Sequence, residues 1–211
     1  MRSVIAFLVA LLLLPGAAMA AAQSASFREG VDFKHIEPEQ PTASGKKIEV
    51  IEVFWYGCPH CFHFQPYIEQ WARKLPADVD YVRMPAVLNT SWETGARAFY
   101  TAEALGVLDR VHEPIYDAIH EKRQRLTSEG AFGKFFAGFG VDEQDFHKTF
   151  NSFAVDSKVR RAQQMTRRYR VEGTPSVVIN GRWLTGPGMT GSYEKLLQVM
   201  DFLVAKERGA S

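Results

Sequence analysis

The hydrophobic period of the chain changes once between Ile48 and Leu75, at Gly57, and two cysteines sit on the change. Before it, Ile48, Val50, Ile51, Val53, Phe54, Trp55 and Tyr56 are β-branched or aromatic, which predicts a strand over Lys47 to Tyr56. Apolar residues fall on both faces toward its end, as in a central strand covered on both sides. After it, Phe64, Tyr67, Ile68, Trp71 and Leu75 recur at helical spacing, with Pro66 inside the pattern predicting a kink. Val79 to Met84 returns to strand character. A strand–helix–strand unit admits few packings, and it places Cys58-Pro59-His60-Cys61 where the first strand ends and the helix begins.

The remaining pattern is helical from Thr90 to Arg170. Thr90 with Glu93 reads as a capping box, and Asp142 as a second cap. Between them, Ala96, Phe99, Tyr100 and Leu105, then Val111, Ile115 and Ile119, then Phe132, Phe135, Phe136 and Phe139 are each spaced as a helix face, and Phe153 to Arg170 reads as a longer helix. Ser176 to Ile179, Asn180-Gly181 and Arg182 to Leu184 form a predicted hairpin, and Ser192 caps a final helix. Val31 to Ile36 reads as a short leading strand. The order is β–α–β, a helical block, then β–β–α.

The start of the chain is an export signal by pattern. Arg2 precedes the unbroken apolar run Val4 to Leu14, Pro15-Gly16 breaks it, and Ala18-Met19-Ala20 has the form a signal peptidase reads. The run is too short to span a bilayer, which takes about 20 apolar residues. Cleavage after Ala20 or Ala22 leaves an exported chain of zero formal charge, since the 25 basic and 24 acidic residues then lose Arg2. A balance so even gives no general electrostatic case for nucleic acid or an anionic membrane as the main partner. The basic cluster Lys158, Arg160, Arg161, Arg167, Arg168 and Arg170 reads as the solvated face of one helix.

Export makes the two cysteines informative, because disulfides persist outside the cytoplasm. A bond across two intervening residues removes little chain entropy and is a poor staple. Such a bond is one to be made and broken. Cys58, at the helix start, faces free backbone N–H groups and the positive end of the helix dipole, which lower a thiol pKa. Pro59 suits the first helical position, and His60 adds a donor or a charge. Cys61, one turn on, is more enclosed and suits the resolving sulfur. A depressed Cys58 pKa stabilises the reduced form above that pKa, so the disulfide is oxidising. Zinc lacks a second clustered ligand pair, so no metal is expected. Covalent haem fails because Phe62 stands where a histidine is needed.

Cys-Pro-His-Cys after the strand Glu49 to Phe54, with Gly173-Thr174-Pro175 far downstream, resembles the DsbA family of thiol:disulfide oxidoreductases over nearly the whole mature chain. The resemblance implies an α/β thioredoxin-like fold, a central mixed sheet flanked by helices, interrupted by an inserted all-helical domain. Its parts would be a signal peptide over 1–22, thioredoxin-like segments over 23–89 and 171–211, and the helical insertion over 90–170. Cys58 would be the attacking sulfur and Cys61 the resolver, with Pro59 and His60 setting the potential. Pro175 would be a cis-proline facing the disulfide, with Thr174 offering its backbone to an extended substrate; from the residues alone, a turn proline opening a strand is the simpler reading. Glu52 is similar to the family's buried acid beneath the site, a proton relay to Cys61, or else an edge-facing carboxylate on the polar side of its strand.

The implied function is a periplasmic oxidase that donates the Cys58–Cys61 disulfide to reduced, unfolded exported polypeptides, is reoxidised by a DsbB-like membrane partner, and uses no cofactor beyond that disulfide. Thr174 departs from the valine of the best-known member and is familiar in the isomerase branch. Residues 23 to 46 are too few for the isomerases' dimerisation domain, so a monomer is expected. An isomerase or reductant on the same fold, and a peptide-binding chaperone with a non-essential redox site, are the alternatives. Trp55, Phe62 and Trp183 border a groove or, more simply, fill the core.

Overall fold

The computed structural model describes residues 27–210; the apolar leader expected over 1–22 lies outside them. Five strands form one sheet in the order β1-β5-β4-β2-β3, with β1 Lys34–His35, β2 Ile48–Phe54, β3 Val79–Pro85, β4 Ser176–Ile179 and β5 Trp183–Thr185. β2 runs parallel to β3 and antiparallel to β4, and β5 pairs antiparallel with both β4 and β1. The parallel pair is joined by α1, Pro59–Ala72, as the change of period at Gly57 requires.

All seven residues of β2 are buried, so the central strand is covered on both faces. The alternation of side chains divides its burial between two cores. Ile48 and Val50, with Val177 and Ile179 of β4, meet Phe64, Ile68 and Trp71 of α1 and Leu196, Val199, Met200 and Leu203 of α8, Tyr193–Ala210. Ile51 and Val53, with Val178 and Leu184, belong to a larger core shared with the helical block. That block lies between β3 and β4 in sequence: α2 Glu93–Ala104, α3 Leu108–His120, α4 Glu129–Ala137, α5 Glu143–Phe150 and α6 Phe153–Arg168. Phe99, Phe132, Phe136 and Phe146 are fully buried within it.

Several expected boundaries move, each for a local reason. The leading strand shrinks from Val31–Ile36 to two residues because only Lys34 and His35 pair in register with β5, opposite Leu184 and Trp183, while Phe33 bridges Glu29. Thr90 is not the cap; Asn89 Oδ1 accepts from Ser91 N at 3.0 Å and opens a 3₁₀ turn, Thr90–Trp92, ahead of α2. Asp142 and Ser192 do cap: Asp142 accepts from Gln144 N and Asp145 N, and Ser192 from Lys195 N. α1 continues through Pro66 and stops at Ala72, leaving Leu75 outside it, and α6 stops at Arg168 because Arg170 takes a positive φ of 55°. The hairpin turn is as predicted, with φ of 52° at Asn180 and 65° at Gly181, but β5 starts one residue later. Gly181 admits no other residue, since a Cβ there would lie 2.1 Å from Gln40 O. A short helix, α7 Pro187–Thr190, follows β5 and carries no periodic signal of its own.

Candidate active site

Cys58 is the N-cap of α1, in extended conformation with φ −87° and ψ 116°, and Pro59 takes the first helical position. Its own N–H donates to Trp55 O at 3.0 Å, and its carbonyl accepts from Phe62 N, closing the first turn. The pair is present as two free thiols. Cys58 keeps 7% of its surface exposed and Cys61 none. Across from the helix start lies the loop before β4, where the Thr174–Pro175 peptide is cis and Cys58 Sγ lies 3.2 Å from Thr174 O, to which it donates only while protonated. Sequence reasoning from residues alone favoured a turn proline here; the resemblance pointed to this geometry.

The two thiols titrate in opposite directions. Cys58 is pulled down to about 5, first by a hydrogen bond from the Cys61 thiol, then by the Thr174 side chain and the backbone N–H groups of Cys61 and His60; partial burial opposes these. The expected contribution of the helix start is there, but the neighbouring thiol is the larger cause. Burial pushes Cys61 well above the ordinary range, and the bond it gives to Cys58 adds to this. A thiol–thiolate pair with the proton on the buried member is the stable reduced form.

His60 is exposed. Its backbone contributes the N–H just described, and its carbonyl accepts from Tyr193 OH at 3.0 Å, tying α1 to α8. A groove of about 740 Å³ runs beside the pair, lined by His60, Thr174, Pro175, Met189 and Tyr193 among others. Trp55 and Phe62 are half-buried and Trp183 is buried, and none of the three lines this groove. Trp55 stacks on Trp92 with ring centres 4.3 Å apart, Phe62 stacks on His120 at 5.0 Å, and Trp183 meets Phe33 edge-on. His120 Nε2 also bonds Tyr56 O at 2.8 Å, so α3 braces the segment that carries Cys58.

Glu52 is fully buried, which removes the edge-facing reading. Burial pushes its carboxyl up to about 7, against the lowering effect of Tyr81 OH, which donates to it. Gln65 Nε2 donates to its other oxygen at 3.3 Å; its hydrogen-bond partners are thus Tyr81 and Gln65, not Cys61. Nearby, Tyr56 OH and His112 Nδ1 share a 2.9 Å bond, and burial lowers His112 to about 3, so its ring is neutral at pH 7. Gln65, Tyr81 and His112 escaped sequence reasoning. Gln65 carried a usable signal, a polar residue beside Phe64 on the face of α1 that also buries Cys61 and Ile68. Among the described residues, no group of three or more His, Cys, Asp or Glu side chains is placed to hold a metal.

The family description "DSBA-like thioredoxin domain" matches residues 68–198. The chain is 39% identical over 191 residues to the thiol:disulfide interchange protein DsbA of Pseudomonas aeruginosa, covering 90% of each. It is 41% identical over 193 residues to that of Pseudomonas syringae, covering 92% of this chain and 90% of the relative. The chain belongs to the DsbA family. Among solved structures, Pseudomonas aeruginosa DsbA superposes with a TM-score of 0.84 at 38% identity, over 87% of this chain and 96% of that one. The DsbA oxidoreductase of Xylella fastidiosa gives 0.79 at 35% identity, over 84% and 96%. Within the family, the helices between β3 and β4 are the insertion into the thioredoxin fold, and α1 with its N-terminal cysteine is part of the fold itself.

Proposed function

We propose that the protein is a periplasmic thiol:disulfide oxidase that passes its Cys58–Cys61 disulfide to reduced, unfolded exported polypeptides. A client thiolate attacks Cys58 Sγ, the S–S bond breaks, and Cys61 leaves and takes up a proton. A second client thiolate then attacks the client sulfur of the mixed disulfide and displaces Cys58 as thiolate. Two electrons pass from client to enzyme, and the client keeps the disulfide. The observation that carries this reading is the opposed titration of the pair, with Cys58 pulled down to about 5. Low pKa makes Cys58 the better leaving group in the second step. At pH 7, with some allowance for solvent screening, it stabilises the reduced enzyme by about 2 kcal/mol, or about 40 mV of added oxidising potential.

The placement of the other site residues supports a role for each. Pro59 and His60 set the first turn of α1 under the Cys58 sulfur, and Thr174 and Pro175 receive the client main chain in the adjoining groove. Glu52 serves as a buried proton store beneath α1. The helical insertion over 90–170, between thioredoxin-like parts over 23–89 and 171–211, braces the site through His120. The enzyme acts as a monomer, uses no cofactor beyond its disulfide, and is reoxidised by a membrane partner of the DsbB kind after removal of the leader over 1–22.

The test is stoichiometric oxidised enzyme mixed with a reduced, unfolded client. Disulfides should appear in the client as they vanish from the enzyme, and Cys58→Ser should transfer nothing. Cys61→Ser, first loaded at Cys58 as its mixed disulfide with glutathione, should exchange onto a client with a single cysteine and hold it, releasing reduced glutathione. Full folding activity of Cys58→Ser would favour the chaperone reading, and efficient repair of scrambled disulfides the isomerase.

A further inference from the structure

The outer face of α6 combines charge and an aromatic in a way that its solvated reading does not use. Arg160, Arg161, Arg167 and Arg168 recur at helical spacing and are all exposed, and the same stripe begins at Phe153, at 84% the most exposed large hydrophobic among the described residues. The helix is anchored by the opposite face, where Val155, Val159, Ala162, Met165 and Thr166 are buried, so the stripe is held rigidly outward. Its charge is largely uncompensated. Arg160 pairs with Asp156 at 2.7 Å, but that carboxylate is also bound by Arg97 of α2 at 2.5 Å. Arg161, Arg167 and Arg168 form no ion pair among the described residues. Glu37 and Glu39 flank the far end, where His35 and Arg182 already engage them.

We propose that this face is a docking surface for a bilayer rich in anionic phospholipid headgroups. A chain whose basic and acidic residues nearly balance gains little from charge as a whole, but a stripe within a Debye length of a surface acts locally. Arginine suits phosphate through its planar fork of donors, and an aromatic ring at one end suits the headgroup boundary, where soluble polyanions offer nothing. The stripe leads toward the thiols: Arg170 and Glu172, just beyond α6, line the groove that holds Pro175. Docking would hold that groove near the membrane surface. The proposal does not depend on the thiol chemistry.

The experiment is co-sedimentation of the full mature protein with vesicles of phosphatidylglycerol and phosphatidylethanolamine, against phosphatidylcholine vesicles and soluble heparin. Binding is expected on the anionic vesicles at about 50 mM salt, falling steeply by about 300 mM. Each arginine changed to Gln should weaken it about fivefold. Phe153→Ala should weaken vesicle binding about tenfold while leaving heparin binding unchanged. The four-arginine variant should keep its melting temperature and its transfer of disulfides to a client, so loss of binding cannot be mistaken for unfolding or for a failed redox assignment. No binding to anionic vesicles at low salt, binding indifferent to the arginines, or equal binding to heparin and vesicles with no effect of Phe153→Ala would each overturn the proposal.

Discussion

Cys58 and Cys61 are the same chemical group three positions apart, and the fold drives them in opposite directions. The first lies a short turn beyond β2 and meets the N–H groups of a starting helix; the second is one turn deeper, with no exposed surface. Ultraviolet thiolate absorbance of the reduced protein should therefore show one ionisation near pH 5 and no second one below the ordinary thiol range. Thr174→Val removes one of the groups favouring the thiolate and should raise that midpoint. Glu52 titrates the other way from a paired carboxylate. The unfolded chain releases its proton near 4.5 and the folded one near 7, so between those values folding holds a proton and stability falls as pH rises. In Glu52→Gln, denaturant midpoints measured across pH 4.5 to 7 should lose that slope.

At the scale of elements, most helices are fixed by a buried stripe and some by a cap. Asp142 accepts two N–H groups at the start of α5, and Asp142→Ala should cost about 1 kcal/mol in chemical denaturation. Phe136 lies fully buried between α4 and α5 against Phe146, with ring centres 4.8 Å apart, and Phe136→Ala should cost about 3–5 kcal/mol. These same features made the elements legible. β2, α1, β4 and the hairpin turn were readable because burial imposes a period or a turn imposes a residue pair. What could not be read depended on partners remote in sequence. β1 is two residues long because it pairs only where β5 offers an edge, and the fine choice of Asn89 over Thr90 rests on local geometry that two adjacent capping residues do not distinguish. In the site, the cysteine pair and the place of Cys58 followed from strand and helix periods. The bonds around Glu52 did not, since Gln65 and Tyr81 reach it from α1 and β3.

For the molecule as a whole, redox state and fold stability are coupled through one sulfur. In the reduced protein, the unfolded chain keeps the Cys58 proton up to about 9 and the folded chain only up to about 5. Stability from this group rises with pH across that window, is complete above it, and is lost as pH falls through 5. The oxidised protein has no such group. The melting temperature of the reduced form should gain on that of the oxidised form as pH rises from 5 to 8, and scanning calorimetry on the two forms reads the difference directly.

The sealing of Cys61 has a consequence for any small electrophile. Native reduced protein should take up a single equivalent of alkylating reagent, and a second equivalent should enter only after denaturation. Peroxide and thiophilic metal ions would meet the same restriction, so damage as well as turnover has one point of entry, and whatever guards that atom guards the pair.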